Sequence, residues 1–173
     1  MNQNKYILPD EDVRHQLLQS PIDGDGLMLL FEAGLIWLTT NQAYVNSLNV
    51  FPVPDGDTGT NMVLTMQAAF NEAVSKRTQN VGGAAKNFAQ GALMGARGNS
   101  GVILSQIWRG FARALDHYET MDTNLLVRAM QEARNTAYKG VVKPVEGTIL
   151  TVMKDMTTGA EDAFRSNASL SEM

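Results

Sequence analysis

Several residue types that often mark function are missing or rare in this chain. Cysteine is absent, which excludes disulfides and thiolate metal sites. The two histidines, His15 and His117, lie outside every motif described below and are interpreted as surface or helix residues, not as ligands or bases. Lys and Arg number 14 against 18 Asp and Glu, and the net charge of −4, with no clustered basic stripe, argues against nucleic-acid binding.

Long hydrophobic runs are also missing. No apolar stretch approaches the roughly 18 residues of a membrane-spanning helix. The first residues lack the hydrophobic region of a signal peptide. We therefore expect a cytoplasmic protein without integral membrane association.

What the sequence has in abundance is apolar residues at spacings of three and four, the pattern of amphipathic helices. Strand-like alternation is scarce, so we predict an all-α fold, a compact bundle in which small residues let helix axes approach closely. One domain is expected over 22–165, with an N-terminal extension over 1–21 and a frayed tail over 166–173. The clearest helical patterns are Leu27, Leu30, Phe31, Gly34, Leu35 and Leu38; Ala84, Ala85, Phe88, Ala89, Ala92 and Leu93; and Leu125, Leu126, Ala129, Met130, Ala133 and Ala137.

The string NSLNVFPVPDGDTGTNM carries the strongest functional signal. Asp55 and Asp57 flank a glycine that permits a tight turn, in which both carboxylates point to one side. Hard oxygen ligands of this kind suit Mg²⁺, which takes one or two carboxylates and fills its other positions with water and phosphate. Asn49 would add a neutral oxygen. The apolar spacing then predicts a helix from near Thr60, whose free first amides favour anionic oxygens.

Two other interpretations of this string compete. An EF-hand Ca²⁺ loop that starts at Asp55 needs glycine at its sixth position and glutamate at its twelfth, where this chain has Thr60 and Met66. The DGDG at 23–26 fails in the same way, because its twelfth position is Gly34, and it is interpreted as a solvated turn and helix start. A plain turn is slightly favoured for the DGD alone, whereas the whole string favours a metal site.

A second glycine-rich turn, GARGNSG at residues 95–101, opens another predicted helix around Asn99 and Ser100. It has no Walker lysine, and no strand precedes it as in a dinucleotide fingerprint. Two interpretations stay open, a phosphate cradle and packing between helices, the latter favoured roughly three to one for short glycine patterns. In a third motif, EGT at 146–148, Thr148 taken alone is an ordinary helix cap.

Three runs together resemble a known family: NVFPVPDGDTGTNM at 49–62, GARGNSGVILSQ at 95–106 and PVEGTIL at 144–150. In this order they are similar to the N-terminal ATP-binding domain of bacterial fatty acid kinase. That domain is itself similar to the nucleotide-binding subunit of dihydroxyacetone kinases. The resemblance covers about residues 22–163 and implies an antiparallel helical bundle or barrel with the nucleotide site at one end.

The resemblance also implies the site. Its metal positions correspond to Asn49, Asp55 and Asp57, which would hold Mg²⁺ ions that bridge the phosphates of ATP or ADP. The dihydroxyacetone branch has aspartate at the position of Asn49 and histidine at that of Thr58, so this chain has the fatty acid kinase form at both. The positions that would contact the nucleotide are Thr58, Thr60, Asn61, Met62, Asn99, Ser100 and Thr148.

For function, the resemblance implies a kinase that transfers the γ-phosphoryl group of ATP to the carboxylate of a fatty acid held by a separate carrier protein, giving an acyl phosphate. Such an acceptor is already anionic, so we expect metal-assisted charge neutralisation and alignment and no general base. A small-ketone kinase subunit and a non-catalytic nucleotide sensor are the alternatives. Asn49 and Thr58 argue against the first.

The resembling domains continue beyond the position of Met173 through further helices and a DAGG segment that closes the nucleotide site. The full-length kinases add domains for self-association as a homodimer and for docking the carrier. The resemblance therefore implies that this chain alone turns over little or no substrate.

Overall fold

The computed structural model describes residues 21–170, and every named secondary-structure element in this range is a helix. Most of the predicted N-terminal extension, with His15, and the end of the predicted tail lie outside the described residues. The prediction of an all-α, compact bundle is confirmed. None of the described helices combines the length and apolar composition that a membrane crossing requires. The helices are α1 (Gly24–Thr40), α2 (Gln42–Ser47), α3 (Thr58–Ser75), α4 (Val81–Met94), α5 (Gly98–Ala114), α6 (Thr123–Lys139) and α7 (Ile149–Arg165).

Polar side chains fix where most of these helices begin. A side-chain oxygen just before the helix accepts the hydrogen of an amide in the first turn, which satisfies one of the backbone donors that a helix start leaves free. α2, α3 and α5 differ, because their cap residues Asn41, Asp57 and Arg97 contribute no side-chain hydrogen bond. The caps are Asp23 for α1, Asn80 for α4, Asp122 for α6 and Thr148 for α7, at 2.8 to 3.3 Å.

The longer helices run alternately up and down. α5 and α6 are antiparallel, because Gly110 of α5 packs on Ala133 of α6, whereas Gln106, one turn earlier in α5, packs on Gly140 at the end of α6. The end of α6 therefore lies beside the start of α5. The same alternation brings the starts of α3, α5 and α7 to one end of the bundle.

The two ends of the bundle differ in what they carry. At one end the chain pairs Ile22 with Met121 in an isolated β-bridge, with N···O distances of 2.9 and 2.7 Å. At the other end lie the three connections that carry the sequence motifs, residues 48–57, 95–97 and 140–148. This second end is called the motif end below.

An aromatic cluster lies at the centre of the core. Phe31 of α1 stacks on Phe88 of α4 with ring centroids 3.8 Å apart, and the Trp108 ring of α5 meets both edge-on at 5.2 and 5.0 Å. The Trp108 indole N–H donates to the Met66 sulfur of α3 at 3.2 Å. Such aromatic pairs add about 0.5–1.5 kcal/mol each beyond burial, so this cluster ties α1, α3, α4 and α5 into one core.

The helices at the two edges of the bundle leave apolar side chains exposed. α1 packs on α2, α3 and α4, whereas α7 packs on α6 and only marginally on α5, and α1 and α7 do not touch. The outward faces carry Leu30 and Trp37 on α1 and Val152 and Met156 on α7, which are 41 to 72% exposed. The main core thus lies nearer α1 than α7.

Two glycines lie within helices, and replacing each by alanine is expected to change the free energy of unfolding in opposite directions. A Cβ at Gly110 would lie 2.7 Å from the Cα of Ala133, so Gly110→Ala is expected to lower the free energy of unfolding by about 1–3 kcal/mol. A Cβ at Gly159 meets nothing within 4 Å, so Gly159→Ala is expected to raise it by about 0.4–1 kcal/mol. Urea unfolding of both variants measures the contrast. Equal changes would contradict the close α5–α6 packing.

Candidate functional site

Asp55 and Asp57 lie on the exposed connection that precedes α3. Gly56 between them has φ of +69°, the left-handed conformation that glycine favours, in agreement with a tight turn. Asp57 does not cap α3 through its side chain, and within residues 21–170 neither carboxylate has a hydrogen-bond or ion-pair partner. Both carboxylates are therefore free to bind a ligand.

The ligand set at this turn is small. No group of three or more His, Cys, Asp or Glu side chains with metal-binding geometry occurs in the described part of the chain. A cation held by Asp55 and Asp57 would therefore take its remaining ligands from water, neutral oxygens or a bound phosphate. That set is typical of Mg²⁺, which keeps several waters and uses one or two carboxylates.

Asn49 holds this turn against the start of α3. Its Oδ1 accepts hydrogen bonds from the backbone N–H groups of Asp57 and Thr58 at 3.2 and 3.3 Å, and its Nδ2 donates to the Val53 carbonyl at 2.9 Å. The predicted metal ligand thus serves as the side-chain cap of α3. A metal ion at the same oxygen would compete with two backbone donors, and the metal role of Asn49 stays a prediction.

Two side chains of α2 hold Thr60. Gln42 Nε2 and Asn46 Nδ2 donate to the Thr60 hydroxyl oxygen at 2.9 and 3.1 Å, and Asn46 Oδ1 accepts from the Thr60 backbone N–H at 3.1 Å. Neither Gln42 nor Asn46 was predicted from the sequence. With only six residues, α2 is too short to give a helical pattern, and the amide side chains on it carried no recognisable spacing.

Asn61 joins the first motif to the second. Its backbone N–H donates to the Asp57 carbonyl at 2.9 Å, and its side chain lies against Gly98, where a Cβ would come within 2.9 Å of Asn61 Cγ. Buried Thr65 adds a second link, because its hydroxyl donates to the Asn61 carbonyl at 2.7 Å and accepts from the Arg97 N–H at 3.1 Å. The two motifs are therefore in direct contact.

Most of the free helix-start amides at the motif end lie on α5, whereas the prediction placed them on α3. The amides of Thr58 and Thr60 donate to the side-chain oxygens of Asn49 and Asn46, so in the first turn of α3 the Gly59 amide alone has no acceptor within the described residues. The amides of residues 98–100 have no acceptor within the described residues. Free N–H groups and the helix dipole make the start of α5 the better place for an anionic oxygen.

The remaining predicted nucleotide contacts of the first two motifs lie around this point. Thr58 is half-buried in the first turn of α3, and Met62, one turn later, packs against the core. Asn99 is exposed and Ser100 is half-buried in the first turn of α5. Their roles as nucleotide contacts stay predictions.

Thr148 starts α7 at the same end of the bundle. Its hydroxyl oxygen accepts from the Leu150 N–H at 3.3 Å, and its hydroxyl donates to the Val145 carbonyl at 2.8 Å, so it is the helix cap that its sequence position indicates. Beside it, Glu146 accepts from Lys154 Nζ at 2.9 Å, and this bond lowers the pKa of Glu146. α7 does not touch α3 and packs only marginally on α5, so the structure brings the first two motifs together but not the first and the third.

Comparison with known proteins identifies a family and several relatives of this chain. The family model described as the DAK2 domain matches residues 52–173. Uncharacterized proteins of Staphylococcus aureus strains USA300, N315 and Mu50 are each 53% identical to this chain over 123 residues. The aligned part is 71% of this chain but 22% of the length of these relatives. Asn49 precedes the residues that the family model matches.

Proposed function

Because this chain belongs to the DAK2 domain family, the dihydroxyacetone kinase family, we propose that it is the part of a fatty acid kinase that binds ATP or ADP with Mg²⁺ at the motif end. The full reaction would move the γ-phosphoryl group of ATP to the carboxylate of a fatty acid on a separate carrier protein, giving an acyl phosphate. The aligned residues are 22% of the relatives' length, so acceptor, carrier and self-association are proposals about a longer protein.

The observation that carries this proposal is one uncapped helix start that Asn61 joins to a turn that bears two free carboxylates. Asn61 touches both, through its N–H bond to the Asp57 carbonyl and through its side chain on Gly98. An anion at the amides of residues 98–100 would be repelled by Asp55 and Asp57. A divalent cation between them removes this conflict, and a nucleotide phosphate with Mg²⁺ supplies both charges.

The residues present fit Mg²⁺. Asp55 and Asp57 would hold the ion, and Asn49 would join them only by releasing its backbone donors. When bound, the ion neutralises charge on the phosphates during transfer. The chain itself supplies donors from the start of α5 and from Thr60, while His117 lies at the opposite end, so no described histidine serves as a base.

Exposed apolar side chains at the motif end favour an acyl acceptor over a small ketone. Leu48, Val50, Phe51 and Val53 are 55 to 77% exposed on the connection that bears the carboxylates. Several large exposed apolar side chains within one short segment favour contact with a ligand or another protein. An acyl chain or the protein that carries it would cover this surface, whereas a small polar ketone would not.

Titration calorimetry of ADP with this chain, with and without Mg²⁺, tests the nucleotide site. We expect binding in the presence of Mg²⁺ and its loss in EDTA, because the metal would neutralise the repulsion between the phosphates and the two carboxylates. Equal affinity in EDTA would contradict the proposed site.

The acceptor is tested separately with the longer protein. ATP-dependent formation of acyl phosphate from carrier-bound fatty acid supports the fatty acid kinase, and turnover of dihydroxyacetone instead supports the small-ketone alternative. Intact Mg²⁺-dependent ADP binding without turnover of either acceptor would support a nucleotide sensor.

A further inference from the structure

On the premise of the proposed nucleotide site, we propose that Gln42 and Asn46 are positioning residues for Thr60. They oblige the Thr60 hydroxyl to donate its hydrogen to a phosphate oxygen, and they prevent that hydroxyl from serving as a metal ligand. Both lie on α2, which packs across the first turn of α3 next to the carboxylate-bearing turn.

The orientation of the Asn46 amide follows from its backbone partner. A backbone N–H can only donate, so the Asn46 atom that faces the Thr60 N–H at 3.1 Å is Oδ1. The NH₂ group of Asn46 then faces the Thr60 hydroxyl oxygen at 3.1 Å and can only donate to it. One acceptor position of the hydroxyl is therefore filled by a group whose direction is fixed.

Gln42 fills the second acceptor position. Its Nε2 donates to the Thr60 hydroxyl oxygen at 2.9 Å. A threonine hydroxyl has two lone pairs and one hydrogen, so Thr60 is left as a donor only, and its hydrogen has no acceptor among residues 21–170. A phosphate oxygen accepts such a hydrogen, whereas Mg²⁺ needs a lone pair that this hydroxyl no longer offers.

Calorimetric titration of ADP in the presence of Mg²⁺ tests this with variants of Thr60. Thr60→Val removes the hydroxyl with little change in shape and is expected to weaken ADP binding about tenfold to a hundredfold, the loss of one hydrogen bond to a charged group. Thr60→Ser keeps the hydroxyl and is expected to retain the affinity. Unchanged affinity in a folded Thr60→Val protein would overturn the proposal.

A double-mutant cycle tests the role of Gln42. Gln42→Glu replaces the donor by an acceptor that captures the Thr60 hydrogen, but its charge also repels phosphate. The repulsion persists when Thr60 is replaced by valine, whereas the capture does not. Gln42→Glu is therefore expected to reduce ADP affinity by a larger factor in the parent chain than in the Thr60→Val background, and equal factors would overturn the proposal.

Gln42→Met provides the matched neutral control. It removes the donor without adding an acceptor, so the Thr60 hydrogen stays available and ADP affinity is expected to remain well above that of Gln42→Glu. If Thr60→Val fails to fold, Thr60→Ala, which also lacks the hydroxyl, supplies the second background of the cycle. If the parent chain and Thr60→Val bind ADP equally well, the positioning role alone is refuted. If the parent chain does not bind ADP with Mg²⁺, the proposed function is refuted as well.

Discussion

Asp57→Ala is expected to weaken binding of ADP with Mg²⁺ by at least about a hundredfold while the helical circular dichroism signal persists. Residues that only support a metal ligand cost about tenfold to a hundredfold when replaced, so a direct carboxylate ligand should cost no less. Asp57 is exposed and does not cap α3 through its side chain, so its removal leaves the start of the helix intact. Calorimetry with Mg²⁺ measures the effect, and Asp55→Ala is expected to match it.

Asp116→Ala is the control for loss of negative charge. Asp116 is also exposed, but it lies beyond α5 at the end opposite the motifs, and its side chain pairs with neighbouring His117 at 3.2 Å and with no other residue of 21–170. We expect this variant to bind ADP like the parent chain. If Asp57→Ala and Asp116→Ala bind ADP equally well, Asp57 is not a metal ligand.

Gly98→Val is expected to weaken ADP binding by about tenfold or more, because the free amides at the start of α5 would no longer be presented in place. Gly98 has φ of +57°, and a Cβ there would lie within 2.9 Å of Asn61 Cγ, so valine both strains the backbone and displaces Asn61. Calorimetric titration of the folded variant measures the loss.

Gly147→Val separates backbone strain from contact with Asn61. Gly147 has φ of +79°, but a Cβ at this residue would meet no atom within 4 Å, so valine there brings strain without a clash. The loss of stability in Gly98→Val is expected to exceed that in Gly147→Val. A folded Gly98→Val protein with unchanged ADP affinity would leave the glycine turn with a packing role only.

Local sequence rules predicted the features that depend on neighbouring residues. Thr148 is a cap by the ordinary preference for hydroxyls before a helix, and the structure has it bonded to the Leu150 amide. The start of α3 was predicted near Thr60 and lies at Thr58, because Asn49, outside the helix, supplies the oxygen that extends it. The periodic apolar positions of the longer helices gave the fold class.

Features that depend on distant residues were not predictable. Thr65 lies within α3 and resembles any helical threonine. Its hydroxyl oxygen nevertheless accepts a hydrogen bond from the backbone N–H of Arg97, which belongs to the following motif. Asn46 binds the amide of Thr60 across the whole carboxylate-bearing connection. Bonds of this kind occupy two of the three amides that sequence reasoning left free on α3, those of Thr58 and Thr60, whereas the amides at the start of α5 stay free.

The position of α7 at the edge of the bundle has a consequence for local unfolding. α7 packs almost entirely on α6, and its outward Val152 and Met156 are more than half exposed, so opening this helix exposes mainly the apolar surface that it shares with α6, including Leu150 and Met153. The aromatic core of Phe31, Phe88 and Trp108 is untouched by such opening. Amide hydrogens of α7 would therefore exchange through a low-energy local fluctuation, while those of α4 and α5 would require global unfolding. The third motif thus lies in a part of the bundle that unfolds locally more readily than the part that carries the first two.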